Sequence, residues 1–124
     1  MNREQFNALN DISDIVHGNA VAHGFYEDID DAMDYLMVND QIKYSVDARR
    51  NFVLAQLAKI ASEVGECVAV IQKTVDWDEL PEEMADILIR TLDLAGYLNM
   101  DIGNAVMLKV DKNANRPYKH GKYC

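Results

Sequence analysis

The stretch Lys59–Asp86 carries two acidic pairs of one spacing, Glu63 with Glu66 and Glu83 with Asp86. Both pairs fall in segments whose apolar residues recur at helical period, and residues three apart on a helix are neighbours on one face. A short connection folds two such helices back on each other and aims four carboxylates at one place. Like charges gathered that closely are costly unless a cation neutralises them. Either pair alone reads as an ordinary solvated helix face. The shared register raises the weight of a metal site, as do the apolar neighbours: Val64 and Cys67 by one pair, Met84, Ala85 and Ile87 by the other.

The rest of the chain supplies helices to pack around this pair. Phe6, Leu9, Ile12, Ile15, Val16 and Val21 predict a first helix over about Arg3–His23, ending near Gly24. Between Phe25 and about Tyr44 two readings stay open. One is a short helix through Ala32, Met33, Leu36 and Met37, capped by Asp30 or Asp31 and broken near Asn39 and Asp40; the other is a long loop. A second long helix is expected from an N-cap at Asp47 to about Lys73, with a core stripe of Val53, Leu54, Leu57, Ile60, Ala61, Val64, Val68 and Ile71. Thr74–Asp78 is a turn, and Pro81 suits the first turn of a third helix reaching about Leu98. Asn99 breaks the pattern, Asp101 caps a fourth helix over Ile102 to about Asn113, and Pro117 prevents its continuation. No segment alternates with a strand's period of two. The expectation is an all-α fold, one domain over residues 1–124, built as a bundle of four main helices. The third helix is apolar around much of its girth, which predicts a homo-oligomer.

Charge and cysteines narrow the class. A net charge of −9 argues against a nucleic-acid polymer as partner. The acid is concentrated in Glu27–Asp47, while Lys109, Lys112, Arg116, Lys119 and Lys122 make the end of the chain locally basic. That combination suits a small anion held beside a metal. No apolar run is long enough to cross a membrane and the first residues lack a signal-peptide pattern. Cys67 and Cys124 form no ligand spacing or disulfide framework, so a reducing cytoplasm is expected.

Donors that are all carboxylate favour Mg²⁺, with Mn²⁺ possible. No His stands three residues after Glu63 or Glu83, as a di-iron bundle would want. His17, His23 and His120 share no zinc-like spacing. Mg²⁺ on carboxylates keeps open positions for water and phosphate, so the chemistry expected is metal-assisted hydrolysis of a phosphoanhydride. Lys59, one turn before Glu63, is placed to reach a phosphate or to pair with Glu63. Lys109, Asn113 and Arg116 follow helical spacing near the end of the last helix, as phosphate ligands or as cations at a helix C-terminus. Arg90 and Asp93 continue the stripe of Glu83 and Asp86 and read as supporting partners of the acids.

KIASEVGE, EEMADILIRTLDLAGYL and KVDKNANRPYKHGK together resemble the MazG-like all-α nucleotide pyrophosphohydrolases over about Lys59–Lys122, with HGNAVAHGFY similar to their first helix. The resemblance implies hydrolysis of a (deoxy)nucleoside triphosphate to the monophosphate and pyrophosphate, in control of a nucleotide pool. It implies Mg²⁺ on Glu63, Glu66, Glu83 and Asp86, with Glu63 or Glu66 activating water. It further implies Lys59, Lys109, Asn113 and Arg116 on phosphates or sugar, in a homodimer or homotetramer whose site a neighbouring chain completes. The acidic insert, about Glu27–Asp47, departs from many relatives and leaves the base open among dCTP, dUTP, dGTP and noncanonical nucleotides. Phe25, Tyr26 and Trp77 are either base-stacking residues or plain core. The competing function is a non-catalytic helical module that binds a nucleotide or a partner.

Overall fold

The computed structural model describes residues 2–118, and these form five α-helices with no strand among them. They are α1 (Arg3–Ala22), α2 (Glu27–Val38), α3 (Ile42–Lys73), α4 (Leu80–Tyr97) and α5 (Ile102–Ala114). The all-α expectation holds. Cys124 and the last two lysines of the basic tail lie outside the described residues.

Local chemistry sets the helix ends. The Asn2 side chain accepts from the Glu4 N–H at 3.0 Å and opens α1. Asp101 does the same for α5 through the Asn104 N–H. Pro81 sits in the first turn of α4, where its missing N–H costs nothing. Gly24, at φ +81, turns the chain after α1. Asp40 (φ 59) and Asn99 (φ 55) make two other sharp turns, since Asp and Asn tolerate the left-handed region best among residues with a Cβ.

The segment Phe25–Tyr44 is helical, and two boundaries move. α2 begins at Glu27, ahead of the expected Asp30 or Asp31 cap, because Glu27, Asp28 and Asp30 place three acids against the positive end of the helix. α3 begins at Ile42 rather than after Asp47. Once Asp40 has turned the chain, nothing between Ile42 and Asp47 interrupts a helix. Ser45, buried, returns its hydroxyl to the Ile42 carbonyl at 2.6 Å.

α4 lies between α1 and α3, α5 packs on α1, and α2 packs on α3. The α3–α4 pair is antiparallel: Glu63 meets Arg90, and farther along Phe52 meets Tyr97. α1 approaches α4 closely at Gly96, where an added Cβ would stand 2.7 Å from the His17 Cβ. Ser13 on α1 donates to the Leu92 carbonyl on α4 at 2.6 Å. An aromatic group binds the centre together, with Tyr26 stacked on Tyr97 at 5.0 Å and both rings against Phe52.

The apolar core of the single chain is thin. Tyr26, Ile29, Leu92, Leu94 and Ala95 are its buried members among the described residues. Leu54, Leu57, Val64, Val68 and Ile71 of the expected core stripe are 40–54 % exposed, as are Met84 (53 %) and Leu88 (61 %) on α4. The chain exposes 9330 Å², against about 6,700 Å² for a compact monomer of its 14.0 kDa.

Candidate functional site

α3 contributes Glu63, and α4 contributes Glu83 and Asp86 one turn apart. One carboxylate oxygen from each of the three lies within 4.8 Å of the others. Glu63 is buried and the other two are half-buried. Glu66, the fourth acid of the motif, stands exposed on the rim outside that cluster, with its carboxyl against that of Glu83. This contact first, then burial, then the charges of Glu66, Asp86 and Glu63 hold the Glu83 carboxyl above its ordinary range. Glu83 Oε2 is buried and has no hydrogen-bond partner among the described residues. Three converging carboxylates, one of them with a buried and unpartnered oxygen, are the donor set that a hard divalent cation fits.

One protein cation already answers part of this charge. Arg90 Nε donates to Glu63 Oε1 at 2.7 Å, joining α4 to α3. Arg90 is thus a direct partner of the acid cluster. Asp93 serves a different network, in which its Oδ1 accepts from Tyr26 Oη at 2.8 Å and from His17 Nδ1 at 2.9 Å. Burial, and then that bond to Asp93, push the Tyr26 hydroxyl far above its usual range, so it remains a donor. Cys67 is a half-buried thiol beside the acids; burial first and then the Glu83 charge push it up, which keeps it protonated.

A cavity of about 580 Å³ opens next to the cluster. Asp86, Arg90 and Lys59 line it at the acid end, and Asn19, His23, Phe25 and Gln56 line it elsewhere. Its size is that of a small-molecule site. Of the three aromatic candidates, Phe25 is in the wall and 74 % exposed. Tyr26 is 4 % exposed and spends its ring on Tyr97 and Phe52, so its part is structural. Trp77 stands in the α3–α4 turn, outside the cavity wall.

Lys59 lines the cavity together with Asp86 and Arg90. Lys109 and Asn113 are exposed on α5 and Arg116 lies just past its end, and none of these three lines the cavity. Sequence reasoning missed Asn19, His23 and Gln56 as cavity residues. The signal was slight: Asn19 and His23 lie four apart beside Val16 and Ala20, one polar edge on the otherwise apolar face of α1.

The family model of the MazG nucleotide pyrophosphohydrolase domain matches residues 53–120, more than half of the chain. The chain belongs to the MazG family. The match spans the acid-bearing part of α3, all of α4 and all of α5. In this MazG chain α1 and α2 precede the match, and α1 with its C-cap residue His23 supplies Asn19, His23 and His17 to the cavity and the wall behind it. No match was found among curated proteins or among solved structures.

Proposed function

We propose that this MazG protein is a Mg²⁺-dependent pyrophosphohydrolase, with Mn²⁺ able to substitute, that converts a (deoxy)nucleoside triphosphate to the monophosphate and pyrophosphate and so adjusts a nucleotide pool. The observation that carries the reading is the buried, unpartnered Glu83 Oε2 among converging carboxylates at the end of a nucleotide-sized cavity. Glu63, Glu83 and Asp86 would hold the cation, joined by Glu66 from the rim. Bound there, a divalent ion supplies a Lewis acid for phosphate oxygens and lowers the pKa of a coordinated water.

The chain's own groups divide the remaining work. One oxygen of Glu63 is occupied by Arg90, whereas the Glu66 carboxyl is exposed. Glu66 is thus the better placed of the two to take the proton from the attacking water. Lys59 and Arg90 face the cavity and offset phosphate charge. Lys109, Asn113 and Arg116 lie outside that wall, and we assign them to the phosphates of a neighbouring chain's site. The roughly 2,600 Å² of surface per chain beyond that of a compact monomer, about 5,200 Å² over two chains, supports such an assembly, a homodimer or homotetramer, since obligate interfaces reach this total.

The test is turnover of a panel of dNTPs and NTPs with and without Mg²⁺, products separated by ion exchange. Metal-dependent monophosphate plus pyrophosphate is expected. Glu66→Gln should lower the rate by at least about a hundredfold with helical content intact. Normal turnover by that variant overturns the site, diphosphate plus orthophosphate overturns the bond assigned, and no turnover by folded protein favours a binding module.

A further inference from the structure

We propose that Asp93 reads the nucleobase, and that through it the enzyme favours bases carrying an exocyclic amino group over their keto counterparts. The inference rests on the nucleotide reading above and names the substrate class within it.

Position comes first. Asp93 follows Asp86 by seven residues on α4, two helical turns, or about 10 Å along the axis. If the acids hold the phosphates, a sugar bonded directly to the first phosphate falls short of Asp93, and the base lies level with it. Phe25, Val16 and Ile89 give the same part of the cavity apolar surfaces for a planar ring.

Chemistry comes second. Asp93 Oδ1 is held by two donors, Tyr26 Oη and His17 Nδ1, and Tyr26 is itself fixed between Tyr97 and the edge of His17. The carboxylate is therefore locked in orientation before any ligand arrives. Oδ2 takes no hydrogen bond from the described residues, and the nearby Arg90 bonds to Glu63 instead. The side chain is 20 % exposed and lines the cavity, so an acceptor that water can reach is open to a donor on a bound ligand.

The other polar wall residues discriminate less. Asn19 and Gln56 end in amides that present a donor or an acceptor after a half-turn. An ionised carboxylate accepts only. Cytosine and adenine offer it an amino N–H; uracil and hypoxanthine place a carbonyl there, which opposes the carboxylate and leaves it desolvated and unpaired. The uracil N3–H does not repair this, because a carbonyl flanks it on each side.

The experiment compares matched pairs, dCTP with dUTP and dATP with dITP, as kcat/KM ratios for the full chain and for Asp93→Asn. The same pairs are measured in equilibrium binding as α,β-imido analogues. In the wild type the amino partner should be favoured by about tenfold or more in at least one pair. In Asp93→Asn, whose amide can rotate, the ratio should fall to within about threefold or reverse, chiefly through KM. A wild-type ratio near one in both pairs overturns the proposal, as does an Asp93→Asn ratio equal to the wild type. A preference that follows dCTP against CTP instead assigns the carboxylate to the sugar and also overturns it. Should Asp93→Asn fail to fold, Tyr26→Phe, which keeps the carboxylate and removes one of its anchors, is expected to lower the ratio; an unchanged ratio counts against the proposal. Analogue binding with the amino preference but without hydrolysis sinks the reaction assigned above and leaves Asp93's role standing. If no analogue binds, both fall.

Discussion

Arg90→Gln is the substitution that most directly weighs the acid cluster as a metal site. The guanidinium Nε stands 2.7 Å from Glu63 Oε1, and Glu63 is also one of the three converging carboxylates. A divalent ion that took Glu63 as ligand at about 2.1 Å would lie roughly 5 Å from that guanidinium. Charges of +2 and +1 at such a distance repel by about 1.7 kcal/mol at the dielectric of water, and by about 7 kcal/mol at an effective value near 20. The Arg90 side chain is 43 % exposed, which puts the pair near the water limit, and salt screens it further. A net gain of about 1 kcal/mol remains on removing the charge, or roughly fivefold tighter metal binding. Mn²⁺ titration followed by the EPR signal of the free ion measures this without any turnover. The gain should shrink in about 0.5 M salt, as the Debye length falls to a few ångströms. The same variant should bind nucleotide more weakly, because Arg90 also lines the cavity. Opposite signs for metal and nucleotide distinguish this from simple damage, which weakens both. Weaker Mn²⁺ binding by Arg90→Gln would refute the electrostatic reasoning and make the residue an orienter of Glu63. No Mn²⁺ binding by either protein would remove the metal site itself.

Two further outcomes concern the scaffold behind the site. In Gly103→Ala the new Cβ would stand 2.3 Å from the Phe6 carbonyl oxygen and displace the Gly103 N–H from Asn10 Oδ1. Overpacking of about 1–3 kcal/mol and a lost hydrogen bond of about 1 kcal/mol outweigh a helix-propensity gain of about 1 kcal/mol. Melting followed by circular dichroism should fall by about 5–10 °C, and an unchanged midpoint would mean that α5 does not pack on α1 in this register. The Asn10 side chain, then the Asn104 N–H and Arg3 hold the Asp101 carboxyl below its ordinary 3.8. A depressed value contributes stability that is present above pH 3.8 and is lost as pH falls through the lower native value. Asp101→Asn should flatten the acid limb of a melting series between pH 5 and 2, and an identical slope would remove Asp101 from acid unfolding.

Much of this was legible because helices announce themselves in one dimension. Period, caps and breakers located α1, α4 and α5 to within a residue or two, and Asn99 and Pro81 play the parts their chemistry required. The acidic pairs were equally readable, since a three-residue spacing fixes a shared face whatever the tertiary structure. What spacing cannot fix is how deep each side chain lies against another helix. Glu63 is buried and bonds to Arg90 of α4, while Glu66, three residues on, is exposed. Arg90 and Asp93 were placed in the right neighbourhood by their stripe, but their partners lie 27 and more residues away in sequence. Pairings at that range leave no periodic trace. Tyr26 carried both of its readings until its ring was seen stacked on Tyr97.

The places where local rules are broken coincide with the proposed chemistry. A chain selected for stability alone would not bury Glu63, leave Glu83 Oε2 without a partner and set Asp86 beside both. Nor would it leave Leu54, Leu57, Val68 and Leu88 half in water while the core holds five buried apolar residues among the described ones. On the proposed reading, binding would relieve both departures: a cation at the acids, and a second chain over the apolar stripe of α3. Each partner that binds the folded form and not the unfolded one stabilises it by mass action. On the reading proposed above, a weakened metal site and a weakened interface would appear first as lower stability of one shared fold. Only beyond that would they separate, into lost turnover and lost assembly.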